Sequence, residues 1–139
     1  PGNEPPPDEP HLRGWEDVSK DYELPPKGDL ILIVQHPGIP GSIPPAQHPL
    51  QSTFSAPGFE NAVAGGRRVR YKPSTLPGSS GSPVYDRAFN VVALHHNRGQ
   101  IVSEATLYAN NQGIPLALIR EHLGATHKQV LAALTPYPE

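Results

Sequence analysis

The sequence predicts an all-β domain that ends in short helices. Proline contributes 19 and glycine 13 of the 139 residues, so turns interrupt the chain too often for a mainly helical fold. Several short aliphatic or alternating segments are separated by these turns, whereas helical spacing of apolar residues occurs only near the carboxyl end. Short strands with turns between them are typical of a small β-barrel or sandwich.

The predicted strands differ in pattern. Residues 30–34 form a continuous aliphatic run, typical of a buried strand, and residues 67–71 alternate charged and apolar side chains, as a half-buried strand does. The remaining predicted strands are residues 50–55, 84–85, 90–96 and 114–116. Turn-forming residues dominate the segments between them, and we predict loops or turns at residues 38–49, 57–66 and 110–113.

Three regions follow from the composition along the chain. Residues 1–27 are an extended, Pro-rich arm, because five of the first ten residues are proline and none is aliphatic or aromatic. Residues 28–124 are the β-domain, and residues 125–139 are a C-terminal helical tail. The spacing of Leu118, Ile119 and Leu123 predicts a first helix that ends at Gly124, and residues 130–134 predict a second.

Composition also excludes several classes of function. The absence of cysteine excludes disulfides, thiolate metal sites and a cysteine nucleophile. A net charge of −2 with neutral histidines provides no general attraction to nucleic acid, and no apolar run approaches the ~20 residues of a membrane span. We therefore expect no nucleic-acid partner, no membrane partner and a cytoplasmic location. Because the sequence begins at Pro1 and lacks methionine, we expect a processed or excised segment of a longer protein.

One segment has the pattern of an acyl-transfer site. Residues 78–83 are Gly-Ser-Ser-Gly-Ser-Pro and lead into a predicted strand. A serine nucleophile needs an exposed hydroxyl on a tight turn and backbone N–H groups that converge on the developing oxyanion. Gly78 and Gly81 permit the backbone conformations of such a turn, which would direct the N–H groups of Gly78 and Ser80 into one hole. A Gly- and Ser-rich surface turn is the alternative interpretation.

This motif resembles the active-serine motif of trypsin-like (chymotrypsin-fold) serine peptidases. With residues 35–38, 68–71, 91–96 and 111–115, it makes residues 15–123 similar to bacterial trypsin-like peptidase domains that accompany effector-associated and CHAT-type modules. The resemblance implies the second barrel of that fold: an antiparallel six-stranded β-barrel with a C-terminal helix and an extended Pro-rich N-terminal arm. It also implies endopeptidase activity through an acyl-enzyme, with no cofactor and with a protein or peptide substrate.

The resemblance assigns roles to residues of the motif and to the floor of a specificity pocket. Ser80 corresponds to the nucleophile, and Gly78 and Ser80 supply the oxyanion-hole amides. Ser79 stands where digestive members carry an aspartate, so a buried ion pair with an amino terminus is not expected. Ser74 corresponds to the pocket floor, and its lack of charge disfavours Lys and Arg side chains in the substrate.

The predicted strand at residues 90–96 corresponds to the pocket wall. His95 and His96 lie on it, and Asn97 begins the segment that pairs with an extended substrate backbone. His95 either binds an acidic side chain, as its counterpart does in Glu-specific members, or is hydrogen-bonded within the sheet. His95 and His96 point to opposite faces of a strand and do not easily bind one ion, so we expect no metal site.

The resemblance covers only the second barrel of the fold. The catalytic histidine and aspartate of this family come from the first barrel, and none of the seven histidines has the matching context. We therefore expect an N-terminal protease half, from the same precursor or as a separate chain, to supply both residues. The alternative is a catalytically inactive, protease-like module that binds peptides.

Overall fold

The computed structural model describes residues 18, 20, 22–38, 50–98 and 110–133. The elements of this part, in chain order, are β1 (Ile31–Gln35), β2 (Gln51–Ser55), β3 (Phe59–Val63), β4 (Arg68–Tyr71), β5 (Pro83–Tyr85), β6 (Val91–Arg98), β7 (Asn111–Pro115), α1 (Leu116–Thr126) and α2 (Lys128–Ala133). The prediction of a mostly β domain followed by short helices is confirmed. Most of the Pro-rich arm, the loop around residues 39–49 and Leu134 lie outside the described residues.

The strands form one antiparallel sheet in the order β2-β1-β5-β6-β7-β4-β3. Within the described residues it contains seven strands rather than six and its ladder does not close, so the predicted six-stranded barrel is not confirmed. The additional strand is β3, in a region predicted as a turn. Its only buried residue is Phe59, and such a weak apolar pattern carries little strand signal.

The two edge strands, β2 and β3, are consecutive in the chain and are separated only by residues 56–58. Backbone hydrogen bonds attach this corner to the residues before β1. Gly28 N donates to Phe59 O at 2.8 Å, and Phe59 N donates to Asp29 O at 2.9 Å. A Cβ at Gly58 would lie 2.3 Å from Ser55 O, so the corner requires glycine. The two edges of the sheet therefore meet at one corner.

Successive side chains of the strands point to opposite faces of the sheet, and the apolar ones form two separate clusters. The main core contains Ile31, Ile33, Phe59, Val69, Tyr71, Val84, Val92 and Ala93, with Tyr22 and Leu24 packed against it. The opposite face of β1 contributes Leu32 and Val34 to a smaller cluster with Tyr85, Val91 and Leu116, and Val18 also packs there. Because Leu116 is the first residue of α1, this second cluster attaches the helix to the outside of the sheet.

The C-terminal boundaries differ from the prediction. Residues 111–113, predicted as a turn, belong to β7, and Leu116, predicted in a strand, begins α1. Gly124 does not end α1, which continues to Thr126 and is followed by His127, whose N–H donates to Leu123 O at 2.7 Å. Neither helix in the described part of the chain is long and apolar enough to cross a membrane.

Candidate active site

Two successive tight turns connect the end of β4 to β5. In the first, Ser79 N donates to Leu76 O at 3.2 Å, and Pro77 and Gly78 occupy the central positions. Gly78 has a φ of 92°. Type II turns require a positive φ at this position and favour proline just before it, so the Pro-Gly pair determines the turn.

The second turn carries Ser80. Ser82 N donates to Ser79 O at 3.1 Å, and Gly81 has a φ of 88° at the third position of the turn. Ser80 is therefore at the second position, with an exposed side chain. Its Oγ donates to the backbone carbonyl of His96 at 3.3 Å. The motif thus places an accessible hydroxyl on a tight turn.

The backbone amides around Ser80 fall into two groups. Those of Ser79, Gly81 and Ser82 donate to carbonyls of the chain, with Gly81 bonded to the carbonyl of His95 at 2.8 Å. No acceptor within the described residues is recorded for the amides of Gly78 and Ser80. These are the two amides that the sequence motif assigns to an oxyanion hole.

The direction of these two N–H groups follows from the hydrogen bond that the carbonyl of the same peptide group accepts. Pro77 O accepts from Gly38 N at 2.8 Å, and Ser79 O accepts from Ser82 N, so both carbonyls are bonded within the chain. In a trans peptide the N–H group points away from the carbonyl. The N–H groups of Gly78 and Ser80 therefore point away from these two contacts.

His95 is anchored to the turn by its backbone and to the core by its ring. His95 N donates to Ser82 O at 2.8 Å, and Nδ1 lies 2.8 Å from the hydroxyl of Tyr71. Only 6% of His95 is exposed, and Tyr71 is fully buried. A Cβ at Gly113 would lie 3.1 Å from the Tyr71 hydroxyl oxygen, so glycine provides the space for this pair.

Burial determines the protonation of both rings. Burial lowers the pKa of His95, with a smaller contribution from His96, and burial raises the pKa of Tyr71. The phenol therefore keeps its proton and the imidazole is neutral. Of the two interpretations for His95, the structure places the ring in a hydrogen bond within the sheet.

The other predicted substrate-binding residues lie around the same turn. Ser74 is exposed, and its carbonyl accepts hydrogen bonds from Thr53 Oγ1 at 2.8 Å and from Gln35 Nε2 at 3.2 Å. His96 contacts Ser80 through its carbonyl. Asn97 is exposed, and its Oδ1 accepts from Arg98 N at 2.8 Å.

Beyond the end of β5, the last residues of β6 pair only with β7 within the described residues. The β5 ladder reaches Leu94 through Pro83, whereas Asn97 and Arg98 pair with β7 after a bulge. Among the described residues, the edge of β6 next to Ser80 is therefore an open edge beyond His96, with no strand paired to it.

Gln35 is the residue of this site that the sequence analysis missed. It is 1% exposed, its Oε1 accepts from Ser79 Oγ, and its Nε2 donates to Ser74 O. A signal was present, since Ile31, Ile33 and Gln35 are alternate residues of one strand face, and a polar residue on a buried face needs polar partners. The partner Ser79 could not be identified from the sequence, because it lies 44 positions after Gln35.

A general base for Ser80 is not found within the described residues, where no histidine ring is recorded in a hydrogen bond with Ser80 Oγ. In the same part of the chain, no three His, Asp or Glu side chains form a group that could hold a metal ion. Asp86 is a turn residue, because its Oδ1 accepts from the amides of Ala88 and Asn90 at 2.8 and 2.9 Å.

Comparison of the chain with protein-family models and with curated proteins found no match. A functional assignment therefore depends on the geometry of this site.

Proposed function

We propose that the chain is the second half of a trypsin-like serine endopeptidase in which Ser80 is the nucleophile. The observation that supports this most directly is that the backbone amides around Ser80 differ in their hydrogen bonding. Three donate to carbonyls of the chain, whereas the amides of Gly78 and Ser80 point away from the carbonyls of their own peptide groups and have no acceptor among the described residues. An oxyanion hole consists of such preorganised donors beside an exposed nucleophile.

In this proposal, Ser80 Oγ attacks the scissile carbonyl while a base removes the hydroxyl proton. The carbonyl oxygen becomes an oxyanion held by the N–H groups of Gly78 and Ser80, and its collapse expels the amine and leaves an acyl-enzyme. Water then hydrolyses the acyl-enzyme to release the acid. The base and its orienting carboxylate come from the N-terminal protease half, and the two halves together enclose the substrate.

The substrate is a protein or peptide bound in an extended conformation along the open edge of β6, beside Asn97. Main-chain hydrogen bonds to a strand edge provide affinity without regard to sequence. The side chain before the scissile bond is directed towards Ser74 and His95. Neither residue supplies a negative charge there, and a cation in a desolvated slot requires a partner of opposite charge.

Labelling with a fluorophosphonate tests this proposal. The 139-residue chain alone is expected to react little, because a serine hydroxyl without a base is a weak nucleophile at neutral pH. The chain produced together with the protein segment encoded upstream of it should react readily. Ser80→Ala should abolish the reaction, and Ser52→Ala, which removes an exposed hydroxyl on β2, should not.

Two results would contradict the proposal. One is labelling of the paired protein that survives Ser80→Ala, which would place the nucleophile elsewhere. The other is an unreactive pair although the upstream segment folds with a histidine and an aspartate in place. Strong labelling of the chain alone would show that one of its own histidines is the base, and would remove the need for the N-terminal half.

A catalytically inactive peptide-binding module is the second candidate. The observation that favours it is that Ser80 Oγ donates to a backbone carbonyl, and no base contacts it in the described part of the chain. This candidate predicts that extended peptides bind the chain alone and remain intact.

A further inference from the structure

Gln35 forms hydrogen bonds with both ends of residues 74–79, the segment that precedes Ser80. Its carboxamide accepts a hydrogen bond from Ser79 Oγ, next to Ser80 in the chain. The same carboxamide donates to Ser74 O at 3.2 Å and to Thr53 Oγ1 at 3.3 Å. Because Gln35 is 1% exposed, solvent cannot easily replace these partners.

A second contact attaches the same segment to the residues that follow β1. Gly38 N donates to Pro77 O at 2.8 Å. A Cβ at Gly78 would lie 2.4 Å from Gly38 N, so the two backbones are in direct contact. Residues 35–38 thus hold the first turn at two points, through the Gln35 side chain on Ser79 and through the Gly38 backbone on Pro77.

We infer that Gln35 is a positioning residue that fixes the turn carrying Ser80 relative to Ser74. Its role in catalysis rests on the proposed function of Ser80, whereas its role in ordering the turn does not. A carboxamide suits this position because it accepts from Ser79 with one atom and donates to Ser74 with the other. A carboxylate lacks the donor, and an aliphatic side chain would leave the buried hydroxyl of Ser79 without its acceptor.

The contacts are all between neutral groups. Gln35, Ser79, Thr53 and the Ser74 carbonyl do not ionise in the physiological range, so these contacts do not themselves titrate. Nor does it require the charged amino terminus that would pair with an aspartate at position 79. The second half of the peptidase therefore has its nucleophile turn ordered by its own residues.

Amide hydrogen exchange of the purified chain tests the inference. Gln35→Met keeps the length of the side chain and removes both hydrogen-bonding functions. Exchange at the amides of Ser79, Gly81 and Ser82 should accelerate about tenfold, the effect of losing one net hydrogen bond, while the β4 amide of Val69 keeps its protection. Gln51→Met is the matched control, since Gln51 faces Gln35 across the β1–β2 ladder without a recorded side-chain bond to the turn.

The pattern of acceleration decides the result. Equal acceleration at the turn and at Val69 would mean that Gln35 only stabilises the core, and would overturn the inference. Unchanged exchange at the turn would overturn it as well. Ser79→Ala in the Gln35→Met background should add little further acceleration, because the two side chains act through one contact.

A second measurement addresses catalysis. In the active pair of protease halves, Gln35→Met should slow fluorophosphonate labelling about tenfold, while Gln51→Met leaves the rate unchanged. An unchanged rate in Gln35→Met would overturn the catalytic part of the inference. If Ser80→Ala does not reduce labelling, the proposed function fails, and the exchange result still decides whether Gln35 orders the turn.

Discussion

The hydroxyl oxygen of Tyr71 lies 2.8 Å from Nδ1 of His95, and both side chains are buried. Burial raises the pKa of Tyr71 and lowers the pKa of His95, so at neutral pH the hydrogen bond joins a protonated phenol and a neutral imidazole. His95 is therefore uncharged rather than a cation at neutral pH, and this determines how the stability of the fold responds to pH.

The first prediction concerns stability at mildly acidic pH. The folded-state pKa of His95 lies below the ordinary value of 6.5, so the unfolded chain binds this proton first as the pH falls. The stabilisation is complete above pH 6.5 and is lost as the pH falls from there towards the lowered pKa. Urea unfolding at pH 7.5 and 5.5 should show a smaller loss for His95→Gln than for the parent chain.

His36→Gln is the control for this measurement, because His36 is exposed. It should leave the pH dependence of the unfolding free energy unchanged. An equal loss of stability in the parent chain and in His95→Gln would contradict a buried neutral imidazole.

The second prediction concerns the side chain before the scissile bond. In the active pair of halves, substrate profiling at neutral pH should favour uncharged side chains, because Ser74 is neutral and His95 is uncharged. Preference for Glu should appear only as the pH falls and His95 gains its proton. His95→Ala should remove that preference and keep the turnover of apolar substrates. Dominant cleavage after Arg or Lys would show that another, acidic residue reaches the pocket.

The third prediction compares two glycines of the nucleophile loop. Gly78 and Gly81 have φ values of 92° and 88°, so alanine at either position costs about 1–2 kcal/mol in backbone conformation. Only at Gly78 does the new Cβ also collide with backbone, 2.4 Å from Gly38 N, whereas Gly81 faces open space. Urea unfolding should therefore show a clearly larger loss for Gly78→Ala. Equal losses of unfolding free energy would mean that the turn moves away from Gly38 without any loss of stability.

The fourth prediction is a stabilising substitution. Phe89 has a φ of 61° and is 69% exposed, so it occupies a strained conformation without burying its ring. Phe89→Gly should raise the unfolding free energy by about 1 kcal/mol, because glycine adopts this conformation without steric conflict. Phe54→Gly, at another exposed phenylalanine but within β2, should lower it. A loss of stability in Phe89→Gly would show that the ring contributes contacts in solution.

The strands that carry a strong apolar pattern were predictable, and those that depend on close contacts were not. The aliphatic run of β1 and the alternation of β4 both correspond to strands. Residues 111–113 contain turn-forming side chains, yet they form part of β7, because Asn111 is buried by a hydrogen bond to Pro73 O at 2.7 Å and Gly113 makes room for Tyr71. Both reasons are contacts with residues about 40 positions earlier in the chain, so the local sequence pattern does not predict them.

In the candidate site, too, the features set by local sequence were predictable and those set by distant contacts were not. The turn residues Pro77, Gly78 and Gly81 determine their own backbone conformation, so the position of Ser80 on a tight turn follows from the motif. The partners of that turn are distant in the sequence, since Gln35 ends β1 and Gly38 follows it. The hydrogen-bond partner of the His95 ring is likewise a distant residue, Tyr71, which no spacing rule connects to it.

The corner at which β2 and β3 meet has a consequence for how the sheet opens. In an ordinary open sheet, the two edge strands belong to separate parts of the chain and fray independently. In this protein both edges are one continuous stretch, tied to the start of β1 through Phe59 and Asp29. Because only residues 56–58 join β2 to β3, we expect detachment of one edge strand to disturb the other, so that both margins of the sheet open together in local unfolding.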